Sequence, residues 1–141
     1  MSLPGVRGLV VLAVLLAASA CGSVTPLAPD QTTVPYAQTD LTIGTGAEAT
    51  SGKTATVQYL LWLYSESGPD HKGMQIDSGS FAFALGTNAV IPGFEQAVTG
   101  MKVGGIRRAT VPPSLAYGAQ GKNPVPPNAA LVFEINLTNV Q

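Results

Sequence analysis

"NAVIPGFEQAVTGM", Asn88 to Met101, decides how the rest of this chain folds. Phe94, Ala97, Val98 and Met101 recur at i, i+3, i+4 and i+7, which is one apolar stripe of a helix. Pro92 suits the first turn, where its fixed φ is already helical and its missing N–H would have had no partner. Gly100 stands where helices commonly stop in a left-handed residue. A helix this short is marginal alone, because nucleation is costly and few hydrogen bonds follow it. It persists only as a plug packed against something larger.

The flanking sequence supplies a sheet for it to plug. "TATVQYLLWLY" (Thr54 to Tyr64) places Ala55, Val57, Tyr59, Leu61 and Leu63 on one side of a strand. Its other side begins polar and turns apolar at Leu60, Trp62 and Tyr64, which predicts a bulge or a second covered surface. "ALVFEINLTNV" alternates Leu131, Phe133, Ile135 and Leu137 inward with Val132, Glu134, Asn136 and Thr138 outward. "MQID" and "FAFAL" read as short strands around a small loop at Ser78-Gly79-Ser80, and "IRRATVP" as another strand. "SESGPDHKG" (Ser65 to Gly73) is polar and rich in turn formers. An antiparallel sheet with one covered face follows.

The N-terminal region has a different character. Arg7, the apolar run "LVVLAVLLAA" and the closing "ASAC" make residues 1–20 a secretory signal, too short in apolar length for a membrane span of about 20 residues. The sole cysteine, Cys21, follows directly. "ASAC" resembles the lipobox of bacterial lipoproteins, which implies diacylglycerol on the Cys21 sulfur and a membrane anchor facing outside the cytoplasm. "Ala18-Ser19-Ala20" fits an ordinary cleavage site equally, which would release a soluble protein with a free thiol. Residues 21–39, rich in Pro and Thr, read as the lipidated end and tether, with the domain at 40–141.

Composition narrows the chemistry. Of the 141 residues, 11% are charged and the formal net charge is −1, with only Arg107 and Arg108 adjacent among the bases. Nucleic-acid binding needs a concentrated basic footprint, so that partner class is set aside. His71 is the sole histidine, in a polar loop, and reads as solvated. No histidine cluster exists to hold a metal, a Ser-His hydrolase is disfavoured, and no cofactor is expected.

Three motifs in order carry a resemblance: "VIPGFEQAVTGMKVGG", "VPPSLAYGAQG" and "VPPNAALVFEINL". Together they resemble the FKBP-type peptidyl-prolyl cis-trans isomerase family over almost the whole of 40–141. The resemblance implies an α+β fold, a curved antiparallel β-sheet wrapped around one short α-helix, with an apolar cleft between them. It implies an aromatic floor at Phe94, where the family usually has Trp. It also implies catalytic roles for Tyr59, Asp77 and Tyr117, and substrate contacts from Phe81, Val90, Ile91, Val125 and Phe133. Phe83 matches the second aromatic of "FAF", with its facing left open. Ile76 stands where many relatives have Phe. The loop before Ile76 is longer than in the minimal family domain. The segment from Asp77 to Phe81 and the loop after Tyr117 are shorter, so one cleft wall is expected to be trimmed.

Taken alone, Phe81, Phe94 and Phe133 would read as plain core, Tyr117 as structural and Asp77 as a turn former. In the family's context they imply an isomerase acting on proline-containing polypeptides that fold outside the cytoplasm, open to macrolide inhibitors. The same cleft without useful turnover would make a chaperone or adaptor, with Leu60 and Trp62 as an outer partner surface. A structural surface lipoprotein would leave the aromatic constellation unexplained.

Overall fold

The computed structural model describes residues 30–141; the apolar leader, Cys21 and the first part of the expected tether lie outside the described residues. Five strands form one antiparallel sheet: β1 (Ala37–Thr42), β2 (Thr54–Tyr64), β3 (Lys72–Ala84), β4 (Ile106–Val111) and β5 (Leu131–Val140). Their spatial order is β1-β4-β5-β2-β3. One helix, α1 (Pro92–Val98), covers one face. The α+β expectation from the opening segment holds: one short helix, one sheet.

The sheet begins earlier than residue 40. Ala37 pairs with Thr110 and Thr39 with Arg108, so the last residues of the expected tether are an edge strand. Farther back, Gln31 donates from Nε2 to the Tyr64 carbonyl at 3.1 Å and accepts the Ala130 N–H at 2.8 Å. Its amide spans a point where β2 and the approach to β5 diverge, standing in for a missing rung of the ladder. These contacts are long-range, and local composition carries no trace of them.

The expected pair of short strands around Ser78-Gly79-Ser80 is instead one continuous strand, β3. Gln58, Tyr59 and Leu60 of β2 pair with Ser80, Gly79 and Ser78 in unbroken register. Small turn-forming residues are tolerated there because β3 is an edge strand paired on one side only. The irregularity lies elsewhere, at register shifts between Leu61 and Trp62 and between Trp62 and Tyr64. It falls where the polarity of β2 switches. Bulges bend and over-twist a strand, and here they help curl the sheet around α1.

On the covered face, Val57 and Leu61 from β2, Ala109 and Val111 from β4, and Leu131, Phe133, Ile135 and Leu137 from β5 are buried against Phe94, Ala97 and Val98. Gly93 is what lets the helix come this close: a Cβ there would overlap Val111 Cγ1 and crowd the Leu115 carbonyl. At the other end Gly100 has φ +83°, the left-handed stop. Arg107, core-facing on β4 and only 7% exposed, donates from Nη1 to the carbonyls of Ala97 and Thr99 at 2.9 and 3.1 Å. Its Nε reaches Asp40 at 2.6 Å. A cation thus satisfies carbonyls that a helix C-terminus leaves unpaired. This is how so short a helix is held.

The outer face is not bare. Lys72 Nζ lies 4.3 Å above the Trp62 ring and pairs with Glu134, which also accepts from Arg108 at 3.1 Å. Val132, expected outward, is fully buried between the flanking rows of Trp62 and Thr110. Of the Leu60–Trp62 pair, Leu60 is 40% exposed and Trp62 is half-buried beneath Lys72. His71 is exposed as expected, but its ring stacks on Tyr64 at 5.3 Å.

Candidate active site

Between the concave sheet and the N-terminal end of α1 lies a cleft of about 280 Å³. That is near the lower end for small-ligand pockets, roughly 300–1,000 Å³. Phe94 closes its base and is itself only 3% exposed. Ile91, just before the helix, accepts the N–H groups of Phe94 and Glu95 at 3.1 and 3.2 Å, which fixes the first turn and aims the ring. Glu95 in turn accepts the Gly86 N–H, tying the helix to the end of β3.

Four aromatic rings surround Phe94: Phe133 at 5.2 Å, Phe81 at 5.5 Å, Phe83 at 5.8 Å and Tyr59 at 6.0 Å. Those of Phe133, Phe83 and Tyr59 meet it edge-on, the arrangement that the ring quadrupole favours. Phe83, whose facing the sequence left open, points inward and is buried, supporting the floor from beneath without lining the cleft. Phe81 and Phe83 stand two apart on one strand and so share a face.

The polar groups sit at the rim. Tyr59 donates its hydroxyl to Asp77 Oδ2 at 2.8 Å, and Asp77 Oδ1 accepts the Ser78 N–H at 2.8 Å. Desolvation, then the hydrogen bond to Asp77 and its negative charge, push the Tyr59 hydroxyl up to about 12. It is therefore a neutral donor at any physiological pH. Tyr117 lines the cleft from the loop after β4, and no hydrogen bond within the described residues engages its hydroxyl. The Ile91 N–H is likewise without a partner among them. Two residues of the cleft lining thus carry a donor that no group among the described residues engages.

Of the residues the resemblance pointed to, Tyr59, Asp77, Phe81, Val90, Ile91, Phe94, Tyr117 and Phe133 converge on this cleft. Val125 does not: it is buried in the core, 6% exposed, and bridges back to Lys122. Three lining residues were not foreseen: Leu61, Ala89 and Lys122. Leu61 follows Tyr59 by two and was legible from strand alternation; Ala89 and Lys122 carry no local signal. A larger hollow, about 870 Å³, lies where residues 30–35 cross the end of β2. Its walls are that crossing segment, residues 63–67 and the approach to β5, and the aromatic cluster is not part of it.

A curved sheet, a single helix and an aromatic-floored cleft between them define a class of proteins built to enclose a small apolar group. The family model described as FKBP-type peptidyl-prolyl cis-trans isomerase matches residues 46–138, and the chain belongs to that family. It is 40% identical over 102 residues to an FK506-binding protein of Neisseria meningitidis, covering 72% of this chain and 92% of that one. It is 41% identical over 107 residues to the 46 kDa FK506-binding nuclear protein of Spodoptera frugiperda, but spans 24% of that protein's length. It spans 28% of the 39 kDa FK506-binding nuclear protein of Drosophila melanogaster. Among solved structures, a peptidyl-prolyl cis-trans isomerase from Pseudomonas syringae superposes with TM-score 0.63 at 32% identity, covering 79% of each chain. AtFKBP13 superposes with TM-score 0.65 at 26% identity, over 79% of this chain and 98% of that one.

Proposed function

We propose that this protein is a peptidyl-prolyl cis-trans isomerase that seats a substrate proline on Phe94 and lets the preceding amide turn in a dry cleft. The observation that carries this reading is the pairing of an aromatic floor with two unengaged donors, the Tyr117 hydroxyl and the Ile91 N–H. The barrier to rotation, roughly 18–20 kcal/mol, arises because twisting the amide breaks its resonance. Water favours the planar, more polar ground state, so exclusion of water by Phe81, Phe94, Phe133 and Tyr59 removes that preference. Tyr117 and Ile91 donate to carbonyls flanking the proline and hold the chain while the bond turns. Asp77 anchors the Tyr59 ring, which forms one wall. No bond to the protein forms and no proton moves.

Magnitudes decide which part matters most. Each tenfold in rate needs about 1.4 kcal/mol of differential stabilisation. One hydrogen bond contributes about 0.5–1.5 kcal/mol net, so two of them supply roughly one to two powers of ten. Anything greater must come from desolvation and from shape. The test is cis-to-trans exchange of an Xaa-Pro peptide with the full chain: acceleration that an FK506-type macrolide suppresses supports the reading. A rate equal to that in buffer, with the chain folded, overturns it.

The setting of this activity rests on the N-terminal sequence. A lipid on Cys21 would leave only a few residues between the anchor and Gln31, holding the cleft close to the outer surface of the membrane, where exported chains refold and slow proline steps limit them. Mass spectrometry of the protein from its cells tests this directly: a diacylglycerol adduct on Cys21 supports it and an unmodified thiol refutes it.

A further inference from the structure

We propose that Lys122 makes this cleft selective for prolines flanked by an acidic side chain. The inference deepens the isomerase reading of the same site and rests on it. Four titratable side chains line the cleft: Tyr59, Asp77, Tyr117 and Lys122. Tyr59 is neutral and bonded to Asp77, whose carboxylate stands on the β3 side of the cleft and accepts one bond on each oxygen, from Tyr59 and from the Ser78 N–H. Lys122 is the only cation of the lining, and no ion pair joins it to Asp77 or to any other carboxylate among the described residues. Its Nζ lies 5.9 Å from the Tyr117 ring centroid, at the outer limit of a cation–π contact, which leaves the ammonium open to a ligand.

The position of this charge is built into the loop. Lys122 donates its N–H to the Val125 carbonyl at 3.0 Å, and Val125 is buried, so the lysine stem springs from an anchored point. Gly121 before it has φ +65°, and a Cβ there would lie 2.6 Å from the Val125 oxygen. Only glycine permits this tight return. Lys122 therefore stands beside Tyr117, the donor that holds the substrate backbone next to the proline. An acidic side chain on a neighbouring residue falls within its reach, whereas a basic one meets it as a like charge.

Peptides identical except for Leu, Glu or Lys beside the proline, placed on either side, test the proposal with the full chain. Affinity is measured by calorimetry alongside turnover. Glu peptides should be favoured over Lys peptides by about two- to fivefold in low salt, the scale of an exposed ion pair. Added salt should shrink the preference. Lys122→Ala should bring the ratio close to one, Lys122→Glu should invert it, and Lys122→Arg should keep it. A preference unchanged in the Ala and Glu variants, or absent from the wild-type chain in both affinity and turnover, overturns the proposal. If affinity shows the Lys122-dependent preference while no peptide is turned over, the charge selection stands and the isomerase reading fails.

Discussion

The Tyr59 hydroxyl and the Asp77 carboxylate, residues of adjacent strands, meet at 2.8 Å on the rim of the cleft. The bond orients an aromatic wall and keeps its phenol protonated. Because the folded-state value is raised to about 12 from the ordinary 10, the folded chain holds this proton more tightly than the unfolded chain does. The resulting stability is fully present below pH 10 and is lost as pH rises from 10 to 12. Burial also raises the Tyr36 phenol, so an alkaline absorbance titration should show Tyr36 and Tyr59 ionising late, and Tyr59→Phe should remove the latest phase. If Tyr59→Phe leaves the alkaline end of the titration unaltered, the phenol is not held as described.

Tyr117 offers a contrast, since its hydroxyl has no partner among the described residues. Tyr117→Phe should therefore leave unfolding unchanged to within about 0.5 kcal/mol, as for substitutions that break no internal contact. Turnover should fall by up to about tenfold, the worth of one hydrogen bond made in the reacting complex. Client holding without turnover should persist. Thermal unfolding and peptide exchange measured on one preparation decide it, and a stability loss with full activity would contradict the assignment.

Phe94 joins stability to function. Its ring is buried among four others at 5.2 to 6.0 Å, so Phe94→Ala should cost about 3–5 kcal/mol, the transfer loss plus the cavity. Phe94→Leu retains most of the volume and should cost less, while removing the flat floor for the proline ring. The Leu variant should thus remain folded by circular dichroism and lose most of its turnover. Full turnover in the Leu variant would show that the ring is core and nothing more.

The fold was legible where the interactions that fix it are local. The helical stripe from Phe94 to Met101, its Pro and Gly boundaries and the alternation of β2 and β5 were read directly. Most of the cleft followed from the family resemblance that the three motifs carry; read alone, the same residues pass for core and turn. What stayed hidden depends on distant partners. Arg107 reads as one half of a surface-like Arg pair, yet it is buried under the end of α1 because the carbonyls it serves arrive from ten and eight residues upstream. The continuity of β3 through Ser-Gly-Ser depends on pairing to β2. Lys122 reaches the cleft from a loop return that its backbone bond to the buried Val125 closes.

Gln31 is the farthest-reaching of these hidden contacts, 33 residues from Tyr64 and 99 from Ala130. Ala130 is fully buried, so Gln31→Ala takes away the acceptor its N–H uses. A buried group left unsatisfied costs about 1–3 kcal/mol, and the lost bond to the Tyr64 carbonyl adds to it. Gln31→Glu keeps an acceptor for Ala130 but turns the other oxygen toward a carbonyl, so it should rescue only part of the loss. Urea midpoints should rank wild type above Glu and Glu above Ala, with unchanged slopes because the surface exposed on unfolding is the same. Equal midpoints for all three would mean that the segment before β1 is not fastened to the domain, and that the fold begins at Ala37.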